Sequence, residues 1–182
     1  MGVIITGGEF KGRKLSTDTR AQVIRPTSGK VREALFSSLG ETMNGSSFVD
    51  LYAGSGAVGL EALSRGAREA YLVENHVQSW TLLKANCKSV LGEGPDGAKA
   101  IPVRADAEAF CRRMREEGRT FDFVFADPPF GDDFSRLKEG VSGLLAPGGT
   151  GIIQFPSCNP PVWLGQTAKF KKYGESGLAF FT

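Results

Sequence analysis

Short apolar runs alternate along the chain with longer segments whose apolar residues recur every three or four positions. The apolar runs lie at 48–51, 70–74, 121–126 and 151–155, with another candidate strand just before Asp106. The segments with helical spacing are 56–65, 77–91, 107–117 and 134–144. Such runs predict buried strands, and the helical spacing predicts amphipathic helices. The alternation therefore predicts an α/β fold with a parallel sheet covered by helices on both faces.

Both ends of the chain depart from this alternation. Gly2–Leu15 is interrupted by glycines and predicts a β-hairpin, followed by a helix that Ser28 caps and that stops at Gly40. Lys169–Tyr173 and Leu178–Phe181 predict a closing hairpin. The length of 182 residues fits a single domain over 1–182, with 1–40 as an N-terminal extension.

The run Phe121–Ala126 ends abruptly at Asp127-Pro128-Pro129-Phe130. Two prolines cannot donate the backbone hydrogen bonds that would continue a strand, so the chain turns there and Asp127 lies at the strand's carboxyl end. In open parallel sheets, ligands bind at that edge. The carboxylate of Asp127 and the carbonyl of Pro128 offer two acceptors for an aromatic amine, with the ring of Phe130 available for stacking. A strand followed by a rigid loop is the structural alternative.

A glycine loop follows the first run of the alternating region. Gly54, Gly56 and Gly59 form the G-x-G-x-x-G pattern between a strand and a helix, which is typical of nucleotide-cofactor binding. Glu74 ends the next strand and suits the hydroxyls of a ribose. This pattern alone does not distinguish a nicotinamide cofactor from S-adenosylmethionine.

Asp50 favours S-adenosylmethionine. A carboxylate at the end of the first strand would repel a pyrophosphate but would attract the cationic amino-acid end of S-adenosylmethionine. Asp106 follows the third candidate strand and could accept a hydrogen bond from an adenine amino group, although it also suits a helix N-cap. Four acids at successive strand ends therefore predict one binding site.

Composition narrows the function classes. Three cysteines without a C-x-x-C spacing and a single histidine, His76, predict neither a disulfide framework nor a metal site, and favour a reducing cytoplasm. No apolar run approaches the about 18 residues that span a bilayer, so we expect a soluble, cytoplasmic protein. The net charge is +2, but residues 1–40 hold seven Lys or Arg and three acids. This excess predicts a phosphate-binding surface, with a solvated basic face as the alternative.

Four segments together resemble the RsmD family of bacterial methyltransferases, which use S-adenosylmethionine to modify the 2-amino group of a guanine in small-subunit ribosomal RNA. The segments are Ile5–Leu15, Ile24–Phe36, the glycine loop continuing to Ala67, and Asp127–Phe130. The resemblance implies a Rossmann-like methyltransferase fold with a mostly parallel seven-stranded sheet and an antiparallel C-terminal hairpin. It also implies ribosomal RNA as partner, naked or within an assembled small-subunit particle. We expect a monomer, and the composition predicts no metal.

The residues of the expected site fall into three groups. The catalytic group is Asp127, Pro128, Pro129 and Phe130. The cofactor group is Asp50, Ala53, Gly54, Ser55, Gly56, Glu74, Asn75, Asp106 and Ala107. The expected RNA contacts are Arg13, Arg25, Thr27, Lys30 and Arg32. Two positions depart from the family: Phe130 replaces a commoner Tyr, and Gln154 stands where an acid is more usual, so we leave it out of the site.

Three other functions remain open from the sequence. A DNA adenine methyltransferase would use the same Asp-Pro-Pro-Phe chemistry, although the chain leaves little length for a target-recognition domain. A nicotinamide-dependent oxidoreductase would use the glycine loop but would leave Asp50 and the double proline unexplained. A non-catalytic RNA-binding protein would not need Asp127 or Gly54.

Overall fold

The protein is described from a computed structural model over residues 3–17, 27–92, 99–129, 134–163 and 169–182. Arg25 and Phe130 lie outside these described residues. The helices are α1 (Gly29–Leu39), α2 (Ala57–Ser64), α3 (Val77–Leu91), α4 (Ala107–Glu116) and α5 (Phe134–Ser142). The strands are β1 (Val3–Ile4), β2 (Lys14–Leu15), β3 (Ser47–Asp50), β4 (Glu69–Glu74), β5 (Lys99–Arg104), β6 (Phe121–Ala126), β7 (Leu145–Pro156), β8 (Lys169–Tyr173) and β9 (Ser176–Phe181).

Strands β3 to β9 form one seven-stranded sheet in the order β5-β4-β3-β6-β7-β9-β8. The first five strands of this order are parallel, and β9 pairs antiparallel with both β7 and β8. The strand order reverses between β3 and β6, so their carboxyl ends open a crevice at the centre of the sheet. The expected mostly parallel sheet with an antiparallel C-terminal hairpin is confirmed.

Two hydrophobic cores cover the two faces of this sheet. On one face, residues of α1, α2 and α3, including Leu35, Leu60 and Leu83, pack against Phe48 and Phe125. On the other face, α4 and α5 pack against β3, β6 and β7 through residues such as Phe110 and Val141. Because side chains alternate along a strand, Asp50 and Asp127 lie on the face covered by α1 and α2.

The predicted ends of α1 agree with the structure, because a cap marks each of them. The Ser28 hydroxyl accepts a hydrogen bond from the backbone N–H of Val31, and α1 ends at Gly40, which has a φ of 60°. Strand β7 is longer than the predicted 151–155 because it begins at Leu145 and tolerates a register shift against β6. The N-terminal hairpin is present but short, with two residue pairs between β1 and β2.

Candidate active site

The glycine loop between β3 and α2 combines close packing with open space. Gly54 and Gly56 have φ angles of 53° and 84°, a region that favours glycine. A Cβ on Gly56 would lie 2.5 Å from Leu83, and one on Gly59 would lie 1.9 Å from Leu72, so both glycines let α2 pack against its neighbours. A Cβ on Gly54 would meet nothing within 4 Å, so the backbone there faces space that a ligand can enter.

Asp50 ends β3 beneath this loop and is 1% exposed. Its Oδ2 accepts a hydrogen bond from the Gly59 backbone N–H at 3.3 Å, whereas Oδ1 has no partner among the described residues. Burial, with smaller contributions from the charges of Asp127 and Glu74, raises the pKa of Asp50 from 3.8 to about 7, although hydrogen bonds from the backbone N–H groups of Tyr52 and Gly59 lower it. A buried, unpaired carboxylate oxygen of this kind fits a cationic ligand group.

Glu74 ends β4 and fixes the shape of the glycine loop. Its two oxygens accept hydrogen bonds from the backbone N–H groups of Gly54, at 2.9 Å, and His76, at 2.8 Å. Each carboxylate oxygen has two lone pairs, so both can still accept a hydroxyl. Glu74 is 8% exposed, and Asn75 beside it is exposed. The structure thus brings Glu74, Gly54 and Asp50 together at adjacent strand ends, as the sequence predicts.

Asp106 lies at the edge of this group, after β5. Its Oδ1 accepts hydrogen bonds from the backbone N–H groups of Glu108, at 2.9 Å, and Ala109, at 3.2 Å, so it is the N-cap of α4. The side chain is exposed and Ala107 behind it is buried. The capping role is therefore confirmed, while a contact to an adenine ring stays a prediction.

Asp127 directly follows the last residue of β6 and lies on the same face of the sheet as Asp50. The Thr27 hydroxyl donates a 2.8 Å hydrogen bond to Asp127 Oδ2. Burial raises the pKa of Asp127 from 3.8 to about 6, and the Thr27 hydrogen bond opposes this rise. Pro128 is half-buried and Pro129 is exposed. Asp50 pairs in register with Phe125, so Asp127 lies two residues further along the adjacent strand, and its charge contributes to the raised pKa of Asp50.

Arg32 does not face solvent, which corrects its expected contact with RNA. It is 2% exposed, and its Nε lies 3.2 Å from Glu61 Oε2 in a buried ion pair. Its Nη1 donates to the Thr27 carbonyl at 2.8 Å, and its Nη2 donates to the Ile4 carbonyl at 2.6 Å. Arg32 therefore ties the N-terminal hairpin and Thr27 to α2. The helical pattern missed this role because the partner, Glu61, is a buried acid on another helix.

Two of the other expected RNA contacts are exposed. Lys30 lies in the first turn of α1, and the guanidinium of Arg13 stacks over the ring of Phe10 at 4.9 Å. Arg13 also donates a hydrogen bond to the Val90 carbonyl. Both side chains are therefore on the surface, although Arg13 has partners within the protein.

Asn86 was not predicted and connects the N-terminal segment to the glycine loop. It is 2% exposed on α3. Its Oδ1 accepts from the Ser16 backbone N–H at 2.9 Å, and its Nδ2 donates to the Ser55 carbonyl at 2.8 Å. An asparagine on the apolar side of α3, between Leu83 and Val90, is the signal in the sequence that could have found it.

Neither a membrane helix nor a metal cluster is present in the part of the chain that the structure describes. None of its helices is long and apolar enough to cross a bilayer. Among the same residues, no three or more His, Cys, Asp or Glu side chains gather where they could hold a metal ion.

Residues 3–182 match the family described as conserved hypothetical protein 95. The chain belongs to this family. It is 38% identical over 127 residues to ribosomal RNA small subunit methyltransferase D of Escherichia coli K12, an alignment that covers 69% of the chain and 59% of that relative. The YlbH protein of Bacillus subtilis is 33% identical over 97% of both chains. The resemblance to the RsmD family is confirmed.

Solved structures with this fold include a hypothetical protein and a named ribosomal RNA methyltransferase. The Thermus hypothetical protein TTHA0928 is 33% identical with a TM-score of 0.82, covering 98% of each chain. The Thermus thermophilus 16S rRNA N2 G1207 methyltransferase RsmC, solved with AdoMet and guanosine, is 25% identical with a TM-score of 0.70. That match covers 90% of the chain described here and 44% of RsmC. The fold is that of the S-adenosylmethionine-dependent methyltransferases, and S-adenosylmethionine is the cofactor that the site fits.

Proposed function

We propose that the protein transfers the methyl group of S-adenosylmethionine to the exocyclic 2-amino group of a guanine in small-subunit ribosomal RNA. The observation that carries this proposal is the pair of neighbouring carboxylates at the ends of β3 and β6. Asp50 offers an unpaired buried oxygen for a cation, and Asp127, followed by Pro128, offers acceptors for an amine. Relatives named as small-subunit ribosomal RNA methyltransferases support the substrate class.

The residues that would hold the cofactor surround the glycine loop. Asp50 suits the amino group of the methionine part, Glu74 suits the ribose hydroxyls, and Gly54 leaves room for close approach. Asp106 lies at the adenine end in this arrangement. Ala53, Ser55, Gly56, Asn75 and Ala107 complete the proposed lining. When bound, S-adenosylmethionine supplies an electrophilic methyl group on a positively charged sulfur.

The work of Asp127 and Pro128 is to make the aromatic amine a better nucleophile. Thr27 occupies Oδ2 of Asp127, so Oδ1 is the oxygen we assign to one amine proton, with the Pro128 carbonyl accepting the other. These hydrogen bonds favour a pyramidal nitrogen whose lone pair is localised for attack, and they are preorganised by the end of β6. After transfer the nitrogen is cationic and acidic. Asp127 Oδ1, ionised above pH about 6, can then accept the proton.

The target base must leave its stack to reach Asp127. In our proposal Phe130 stacks on the base, which recovers part of that cost because a base–aromatic stack is worth about 1–3 kcal/mol. Lys30 and Arg13 are exposed and contact phosphates, with Arg25 as a further contact. Thr27 acts on Asp127 rather than on a phosphate.

A methyl-transfer assay with three substrates tests this function. The protein is incubated with isotope-labelled S-adenosylmethionine and either naked 16S ribosomal RNA, assembled small subunits or unmethylated DNA, all from a strain that lacks the enzyme. Nucleosides from each digest are separated by mass spectrometry. We expect labelled N2-methylguanosine from one or both RNA substrates, and the better one identifies the physiological form. Labelled N6-methyladenine from DNA alone would contradict the proposal.

A further inference from the structure

Gln154 lies beside Asp127 at the carboxyl edge of the sheet. The last registered pair between β6 and β7 is Ala126 with Ile153, so the next residues are Asp127 and Gln154. Ile152 packs in the same core as Phe125, which places Gln154 on the sheet face shared by Asp127 and α1. Neighbouring strands are about 4.8 Å apart, so Gln154 is within reach of a base bound at Asp127.

The side-chain oxygen of Gln154 lacks a partner. Gln154 is 8% exposed, and its Oε1 makes no hydrogen bond within the described residues. Among the described residues, Asp50 Oδ1 is the other buried side-chain oxygen without a hydrogen-bond partner. The two unpaired oxygens lie on β3 and β7, the strands on either side of β6 and Asp127. Since buried acceptors are normally hydrogen-bonded, two of them around one carboxylate indicate ligand donors on both sides.

The chemistry of a guanine edge supplies the donor that this oxygen lacks. A guanine whose 2-amino group is held by Asp127 and Pro128 presents its N1–H next along the same edge. We propose that Gln154 Oε1 accepts a hydrogen bond from N1–H of the target guanine and thereby selects guanine over bases without a proton at N1. This inference rests on the proposed function, in which guanine is the substrate. Adenine presents a bare nitrogen at N1, which would face the same oxygen with two acceptors opposed.

Gln154 is a specificity-determining residue in this account, because it contacts the base without touching the reacting nitrogen. An amide and a carboxylate both provide the acceptor, so Gln154→Glu should keep the selection. Gln154→Leu keeps most of the side-chain volume but removes the acceptor, so it separates the hydrogen bond from the packing. Gln78 is exposed on α3, so Gln78→Ala is a matched control for loss of a glutamine elsewhere.

The test compares guanine with 2-aminopurine at the mapped methylation position of an otherwise identical RNA. 2-Aminopurine keeps the 2-amino group but has no proton at N1. We expect the wild type to lose about 10- to 100-fold in kcat/KM on 2-aminopurine, which is the range for one lost hydrogen bond in a buried site. On guanine, the kcat/KM of Gln154→Leu should fall below that of the wild type by a similar factor. On 2-aminopurine, the kcat/KM of this variant should be close to that of the wild type on the same substrate. Gln154→Glu and Gln78→Ala should preserve the wild-type preference.

Two results would overturn this role of Gln154. The first is a wild type that methylates 2-aminopurine and guanine equally well. The second is a Gln154→Leu variant whose kcat/KM falls by the same factor on both substrates, because that pattern means a structural defect. Melting temperature and S-adenosylmethionine affinity, measured on each variant, check its fold. A wild type inactive on guanine RNA would instead refute the proposed function, so the two failures are distinguishable.

Discussion

Asp50→Asn should make the ligand-free protein more stable while weakening cofactor binding. Burial raises the pKa of Asp50 from 3.8 to about 7. Above pH 7 the carboxylate is therefore charged in both states, but its ionisation costs more free energy in the folded protein than in the unfolded chain. The difference of about three pKa units corresponds to about 4 kcal/mol against the native state, at 1.36 kcal/mol per unit. Asparagine has nearly the same shape and stays neutral, so about 4 kcal/mol is the upper limit of the gain.

The pH dependence gives this prediction its sign. Between about pH 4 and pH 7 the folded protein holds a proton on Asp50 that the unfolded chain has lost, so stability falls as the pH rises through this window. Realising half of the limit, about 2 kcal/mol, would raise the melting temperature of a chain of this size by about 4–8 °C at pH 8. At pH 5 the difference should fall below half, because wild-type Asp50 is then largely protonated.

Thermal melts of the wild type and Asp50→Asn at pH 5 and pH 8 measure the effect, with calorimetry of S-adenosylmethionine binding on the same samples. We expect a higher melting temperature at pH 8 together with lower cofactor affinity. This combination would show that Asp50 is held in a strained, charged state for its ligand. A variant that melts at or below the wild-type temperature at pH 8, or a difference independent of pH, would refute the reasoning.

Three further predictions concern residues around this centre. Thr27→Val removes the hydroxyl that donates to Asp127, so it should raise the pKa of Asp127 above about 6 and move the acid limb of the pH profile of kcat/KM upward by about one pH unit. Thr27→Ser keeps a hydroxyl and should have the wild-type profile. An acid limb that does not move in Thr27→Val would show that this hydrogen bond does not control the pKa of Asp127. Arg32→Met should lower the free energy of unfolding by about 3–5 kcal/mol in urea titrations, because it leaves buried Glu61 without one partner; a loss below about 1 kcal/mol would contradict this. Lys30→Gln should reduce the salt slope of RNA binding by about 0.7–0.9 and leave stability unchanged, and an unchanged slope would remove Lys30 from the interface.

The sequence predicts the sheet and its ligand-binding edge because the signals for both are local. The helix over Gly29–Leu39 follows from the Ser28 cap, the apolar spacing and Gly40, all within a few residues of one another. Asp50 and Asp127 each end a buried run, and parallel strands bring such ends together. The proximity of these carboxylates could therefore be expected from the sequence.

The buried polar contacts could not be predicted, because they join residues far apart in the chain. The hydrogen bond from Thr27 to Asp127 spans 100 residues, and the Arg32–Glu61 pair spans 29. Helical spacing places Arg32 off the apolar face, and only the docking of the N-terminal hairpin onto α2 makes its position a buried one. The missing partner of Gln154 is likewise visible only after β6 and β7 are in register.

In the proposed function, Asp127 acts on the amine and not on the cofactor. The most direct test is single-turnover methyl transfer to 16S ribosomal RNA by Asp127→Ala at saturating S-adenosylmethionine. We expect the rate of N2-methylguanosine formation to fall by about 10²–10³-fold, a loss typical of removing one preorganised polar group, with cofactor affinity within a few-fold of the wild type. Wild-type turnover in this variant would contradict the account.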